Sequence, residues 1–90
     1  MIERIVTVQN RAGLHARPSA FLVQSVRNFQ CNIYLEKDGD RVNGKSIMGV
    51  ITLGAAYGTE IKIVTEGPDE QTAADALVKL FNSKFEEEQG

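Results

Sequence analysis

Residues 13–18 (Gly-Leu-His-Ala-Arg-Pro) combine the side-chain types that phosphoryl chemistry needs. They contain the only histidine of the chain, an arginine two residues later and then a proline. A neutral imidazole is a nucleophile near neutral pH, and a guanidinium binds phosphate oxygens through a planar fork of donors. This stretch therefore indicates a site where His15 reacts with a phosphoryl group whose charge Arg17 neutralises.

The elements on either side place His15 at the start of a helix. Residues 2–8 are rich in β-branched types and predict a strand, and residues 10–13 form a loop after it. Pro18 falls in the first helical turn, where its missing N–H costs nothing. Apolar residues then recur at helical spacing; they are Ala20, Leu22, Val23, Val26 and Phe29.

A helix start suits a phosphoryl group on His15. The first backbone N–H groups of a helix have no intrahelical partner, and the helix dipole favours negative charge there by roughly 0.3–1 kcal/mol. We therefore expect the amides of Ala16 and Arg17 to face the phosphoryl oxygens. The competing interpretation is that His15 is an ordinary packed or exposed histidine without a chemical role. Its place beside Arg17 at a helix start argues against that interpretation.

The chain offers no second catalytic group for His15. One histidine and one cysteine also argue against a metal site, which normally needs three or four ligands. We expect a carrier that other enzymes load and unload, without a cofactor and without turnover of its own.

Ser46 is the second candidate, at the N-cap of a short apolar helix over residues 47–53 that Gly54 ends. The cap by itself explains a serine here, worth about 1 kcal/mol. A phosphate on an exposed N-cap serine is nevertheless tolerated, because the helix dipole favours it. Four apolar residues follow, and they are either all core or partly an exposed docking patch; they are Ile47, Met48, Val50 and Ile51.

The remaining patterns complete one domain over residues 1–90. Strands are predicted at 32–37, 41–43 and 60–66, with a tight turn at Asp38-Gly39. A last helix is predicted at 70–85, followed by a flexible polar tail at 86–90. The order β-α-β-β-α-β-α predicts an α+β fold, a single antiparallel sheet with helices on one side.

Charge and composition limit the partners. The net charge is −2, but residues 1–45 carry +3 (seven Lys/Arg, four Asp/Glu) and residues 46–90 carry −5 (three and eight). A basic face around His15, built from Arg11, Arg17, Arg27 and Lys45, favours phosphate or an acidic protein partner. The basic density is too low for nucleic acid. The sequence lacks a membrane-length apolar run and a signal peptide, and its single cysteine, predicted to be buried, fits the cytoplasm.

Residues 13–18 together with residues 45–50 (Lys-Ser-Ile-Met-Gly-Val) closely resemble the HPr family, the histidine-containing phosphocarrier proteins of the bacterial phosphoenolpyruvate:sugar phosphotransferase system. The resemblance covers nearly the whole chain, including the separation of the two motifs. It implies an HPr-like open-faced β-sandwich, a four-stranded antiparallel sheet covered on one face by three helices. It also implies a monomer.

The resemblance implies roles for the marked residues. His15 would be phosphorylated at Nδ1 by phospho-enzyme I and would pass the group to a sugar-specific enzyme IIA, with Arg17 stabilising the phosphohistidine. Ser46 would be the regulatory serine of an HPr kinase/phosphorylase, with a catabolite-control transcription regulator as a further partner. The partners would dock on a surface formed by Ala20, Arg27, Ile47, Met48 and Ile51.

Two other interpretations stay open at this point: a nitrogen-branch carrier, and a regulatory protein whose output is Ser46 phosphorylation. The presence of His15 favours the carrier. Two departures from the usual family pattern are Ser19, where alanine is more common, and Gly44, where a larger residue is common. We expect Ser19 to be tolerated as a small residue and Gly44 to loosen the approach to Ser46.

Overall fold

The computed structural model describes residues 1–85, and the predicted tail at 86–90 lies outside them. Four strands and three helices follow in the predicted order, β-α-β-β-α-β-α. They are β1 (Ile2–Thr7), α1 (Ala16–Val26), β2 (Asn32–Lys37), β3 (Asp40–Asn43), α2 (Ile47–Leu53), β4 (Glu60–Glu66) and α3 (Glu70–Asn82).

The strands form one antiparallel sheet in the order β1-β4-β2-β3. The central strand β4 pairs with β1 and with β2, so that Ile61 lies opposite Val6 and Ile63 opposite Leu35. These side chains join the helices in a single core. The predicted alternation is confirmed, because one face of β2 and β4 is buried; its residues are Ile33, Leu35, Ile61, Ile63 and Thr65.

The opposite face of the sheet carries a row of charges across all four strands. Lys62 Nζ lies 3.9 Å from Glu3 Oε1 and 3.6 Å from Glu36 Oε1. Arg41 Nε donates to Glu36 Oε2 at 2.7 Å, and its guanidinium lies 4.6 Å from the centre of the Tyr34 ring. The hydrogen bond from Arg41 lowers the pKa of the Glu36 carboxyl. This polar face is the open one of an open-faced sandwich.

The last helix ends earlier than the apolar spacing predicts. α3 stops at Asn82, and Lys84 and Phe85 adopt left-handed backbone angles (φ 57° and 56°). Phe85 is nevertheless buried, with its ring edge-on to Phe81 at 4.9 Å between centroids. The predicted extension to residue 85 is wrong, because a left-handed turn can deliver the same aromatic contact as a further helical turn.

Candidate functional site

His15 is the N-cap residue of α1. Its backbone is extended (φ −81°, ψ −165°), and its carbonyl accepts the first helical hydrogen bond, from the Ser19 amide at 3.1 Å. The imidazole is exposed and makes no capping hydrogen bond to the first turn. A residue with this side chain at an N-cap is thus not chosen for capping, which supports a chemical role.

The loop before His15 is held by the loop that follows α2. Gly13 has φ +74°, and a Cβ atom built on it would lie 2.6 Å from the Ala55 carbonyl oxygen. The next amide, that of Leu14, donates to the same oxygen at 2.9 Å, and the Leu14 side chain is buried. Position 13 therefore requires glycine for two reasons: the backbone is left-handed, and two loops approach each other closely there.

The start of α1 offers an anion two backbone donors. Ala16 and Arg17 are both exposed and occupy the first two helical positions, and Pro18 at the third has no N–H. The first turn contains no acidic residue that would compete for the dipole. The Arg17 side chain, also exposed, adds a full positive charge beside these amides. This arrangement can hold phosphoryl oxygens against the histidine.

Ser19 makes a hydrogen bond that the sequence pattern did not predict. We predicted a small tolerated residue, but its side chain is fully buried and its hydroxyl donates to the Leu14 carbonyl at 3.1 Å. The sequence does indicate this bond, because Ser19 lies on the otherwise apolar face of the helix. Buried hydroxyls are rarely without a partner, so this position predicted a hydrogen bond.

Ser46 is the N-cap of α2, as predicted. Its Oγ accepts from the Gly49 amide at 3.0 Å, and Gly54 with φ 65° ends the helix. The expectation that Gly44 loosens this segment is wrong. Gly44 is buried, its amide donates to the Ile33 carbonyl at 2.8 Å, and an added Cβ would lie 2.5 Å from Ile33 Cγ2. The absence of a side chain lets the segment approach β2 closely.

The apolar run after Ser46 divides between core and surface. Val50 is fully buried, whereas Ile47 is 39% and Met48 68% exposed and Ile51 is half-buried. This division excludes the interpretation that all four residues are core. On α1, Ala20 is half-buried and Arg27, the C-cap residue, is exposed. All five residues predicted to form the docking surface thus reach solvent at least in part.

The helices α1 and α2 pack in opposite directions. The Leu14 amide joins the start of α1 to Ala55, just after the end of α2. Lys45 Nζ donates to the Phe29 carbonyl and so joins the start of α2 to the chain just beyond α1. His15 and Ser46 therefore lie at opposite ends of the pair.

The predicted basic face is dispersed. Arg17 lies beside His15, but Arg27 lies at the far end of α1, and Lys45 binds the Phe29 carbonyl. Arg11 lines a separate open cleft of about 220 Å³ with Gln9, Tyr57 and Lys84. Arg27 and Lys45 therefore do not join Arg17 beside the histidine.

Cys31 is buried, as predicted, and burial raises the pKa of its thiol. The Cys31 amide and the Gln30 amide donate to the two carboxylate oxygens of Asp69, at 2.9 and 2.8 Å. Within residues 1–85, no group of acidic, histidine and cysteine side chains could hold a metal ion. No helix in the same range is long and apolar enough to cross a membrane.

Comparison with known proteins gives a consistent match over nearly the whole chain. A family model described as PTS HPr component phosphorylation site matches residues 2–83. The phosphocarrier protein HPr of Treponema pallidum (strain Nichols) is 51% identical over 88 residues, which cover 98% of this chain and 100% of that protein.

Solved structures show the same fold. A crystal structure of HPr-C-His from Thermoanaerobacter tengcongensis has a TM-score of 0.91 at 47% identity, covering 94% of this chain and 96% of that one. The Bacillus subtilis catabolite repression protein Crh, whose crystal structure is described as a dimer with a swapped domain, has a TM-score of 0.69 at 41% identity, covering 97% and 95%.

Proposed function

The chain belongs to the HPr family of phosphotransferase-system phosphocarriers, and we propose that it accepts a phosphoryl group on Nδ1 of His15 from phospho-enzyme I and passes it to a sugar-specific enzyme IIA. The observation that carries the proposal is the exposed imidazole at the N-cap of α1, beside the amides of Ala16 and Arg17. Nδ1 is the ring nitrogen nearer the backbone. A phosphoryl group there is within closer reach of the helix start than one on Nε2.

The chemistry requires no cofactor of this chain. The neutral imidazole attacks phosphorus, the bond from phosphorus to the donor enzyme breaks, and the new P–N bond leaves the phosphoryl group on His15. Arg17 and the two amides neutralise charge on the phosphoryl oxygens during loading and while the group is held. The same step in the opposite sense delivers the group to the acceptor histidine, so the protein is a carrier without independent turnover.

Phosphotransfer from phosphoenolpyruvate through purified enzyme I tests the proposal. We expect one acid-labile phosphate per chain, mapped to His15 by mass spectrometry and assigned to Nδ1 by nitrogen chemical shifts. The variant His15→Ala should accept none. Phosphate retained by His15→Ala under these conditions would refute the assignment.

A second, regulatory function is proposed for Ser46, with an HPr kinase/phosphorylase as its enzyme and a catabolite-control transcription regulator as its reader. Ser46 is partly exposed at the N-terminus of α2, beside the exposed Ile47 and Met48, and this favours a modification that a partner could read. With kinase and ATP, Ser46→Ala should remain unphosphorylated while still accepting phosphate from enzyme I. Which enzyme IIA accepts the group from His15 separates a sugar carrier from a nitrogen-branch carrier.

Partners are proposed to dock on the exposed parts of α1 and α2 that include Ala20, Arg27, Ile47, Met48 and Ile51. The large exposed fraction of Met48 supports this, because an unbranched thioether side chain adapts to several partner surfaces.

The buried Cys31 thiol fits the reducing cytoplasm proposed as the location. We also propose a monomer, in which β1 completes the sheet of its own chain. Light scattering would distinguish it from a swapped dimer like that of Crh.

A further inference from the structure

Ser19 contacts the backbone on both sides of His15. Its amide donates to the His15 carbonyl at 3.1 Å, and its hydroxyl donates to the Leu14 carbonyl at 3.1 Å. The side chain is fully buried although it is polar. One residue therefore holds the two peptide groups that flank the Cα atom of the histidine.

The two hydrogen bonds made by Ser19 differ in the residue type that they require at position 19. Any residue except proline at position 19 would supply the amide bond, which is part of the helix. Only a side-chain donor can supply the bond to Leu14, and the helix has no regular bond that reaches this carbonyl. The Leu14 amide, which belongs to the peptide group one residue earlier, donates to the Ala55 carbonyl, so two successive peptide groups before His15 are restrained.

The orientation of the two peptide groups determines φ and ψ of His15. These angles set the direction of the Cα–Cβ bond and so the position of the imidazole relative to the amides of Ala16 and Arg17. Phosphoryl transfer depends strongly on such positioning, since little other chemistry is left for the protein to perform.

We propose that Ser19 is a positioning residue for phosphoryl transfer, which holds His15 in its reactive orientation through the hydroxyl bond to the Leu14 carbonyl. This inference rests on the proposed function of His15. The role is specific to the serine of this chain, because alanine, the more common residue here in the family, supplies the amide bond but not the hydroxyl bond.

The test compares Ser19→Ala with a matched control in the same helix, Ser25→Ala. The Ser25 hydroxyl also donates to a backbone carbonyl, that of Phe21 at 2.8 Å, but it lies on the exposed side and away from His15. A third variant, Ser19→Cys, fills the buried space with a weak donor. We expect kcat/KM for loading by enzyme I to fall about fivefold in Ser19→Ala, the size of one net hydrogen bond, and to stay unchanged in Ser25→Ala.

Nuclear magnetic resonance of the unphosphorylated protein provides a readout that a merely structural role would not move. The three-bond coupling between the amide and α protons of His15 reports φ, and it should change in Ser19→Ala and in Ser19→Cys but not in Ser25→Ala. Thermal unfolding of each variant, with rates measured well below every Tm, separates a positioning effect from loss of folded protein.

The outcomes distinguish the inference from the proposed function. Unchanged loading and unchanged coupling in Ser19→Ala, or equal losses in Ser25→Ala, would overturn the positioning role while leaving His15 as the acceptor. A wild-type protein that takes no phosphate on His15 would refute the proposed function, and with it a role for Ser19 in phosphoryl transfer. If Ser19→Ala does not fold, Ser19→Cys decides by the same two readouts.

Discussion

The two residues before His15 fix the backbone at the start of α1. Gly13 allows the loop to reach the Ala55 carbonyl, and Leu14 then anchors it in the core. The histidine that follows lies exposed at the N-cap of the helix. A reactive side chain on a restrained backbone avoids part of the ordering cost at the moment of transfer.

Gly13→Ala should destabilise the protein by more than about 1 kcal/mol, because the new Cβ meets the Ala55 oxygen and the backbone is left-handed. It should also slow loading of His15. Urea unfolding and the enzyme I assay check both effects. Gly58→Ala is the control: φ there is also positive (+85°), but an added Cβ meets open space. Equal losses in the two variants would show that the contact with Ala55 is unimportant.

Helices α1 and α2 each begin at a residue that is proposed to carry phosphate. α1 begins at a residue that does not cap it, and α2 begins at a serine that does. Because the helices run in opposite directions, these N-termini point away from each other. The two proposed phosphorylation sites therefore do not form a single anion site, and any influence of Ser46 on His15 has to pass through the docking surface or the fold.

Ser46→Asp should slow loading of His15 mainly by raising KM for the interaction with enzyme I. A charge at position 46 lies at the opposite end of the helix pair from the imidazole, and salt weakens its direct effect there, with a screening length of about 8 Å at physiological ionic strength. It does lie next to Ile47 and Met48 on the proposed docking surface. Steady-state kinetics check the prediction, and a fall in kcat at constant KM would contradict it.

The matched variant Ser46→Ala distinguishes the effect of an added charge from the effect of losing the N-cap hydrogen bond. It should lower the free energy of unfolding by about 1 kcal/mol, because the Gly49 amide loses its acceptor, whereas Ser46→Asp retains a capping carboxylate. Loading of His15 should be nearly unchanged in Ser46→Ala. Slower loading in both variants would point to the cap rather than to the charge.

Two carboxylates connect parts of the chain that are distant in sequence. Asp69 accepts from the amides of Gln30 and Cys31, and these bonds lower the pKa of its carboxyl. Glu70 accepts from the Gly67 amide and from the N-terminal ammonium group of Met1, and the same contacts lower its pKa. Folding thus favours the ionised form of both carboxyl groups.

The protein should lose stability in acid. Groups whose folded pKa is lowered stabilise the fold above their unfolded values, near 3.8 for Asp69 and 4.5 for Glu70, and this contribution is lost as the pH falls below them. Thermal unfolding should therefore give a constant Tm from pH 7 to about 6 and a falling Tm below about 5.

Asp69→Asn should lower Tm at pH 7 and flatten its dependence on pH, because the amide cannot accept from both backbone donors. Asp75→Asn is the control, since Asp75 is exposed on α3 and bonds only to Gln71 of its own helix among the described residues. A Tm profile that keeps its full acid slope in Asp69→Asn would contradict the assignment of that slope to Asp69.

Much of this protein is determined by its sequence without reference to distant contacts. Strand alternation, helical spacing and the N-cap preference of serine act within a few residues, and they correctly predict the element order, the buried faces of β2 and β4 and the cap at Ser46. The position of His15 at a helix start is predicted for the same reason.

Contacts between residues far apart in the chain could be seen only in the tertiary structure. The close approach of Gly13 to Ala55, the space at Gly44 against Ile33 and the bond from Lys45 to the Phe29 carbonyl have no signature in local periodicity. Together they orient α1 against α2, and so they separate the two proposed phosphorylation sites. They also explain why the hexapeptide around His15 needs its glycine, since that requirement comes from a carbonyl oxygen 42 residues further along the chain.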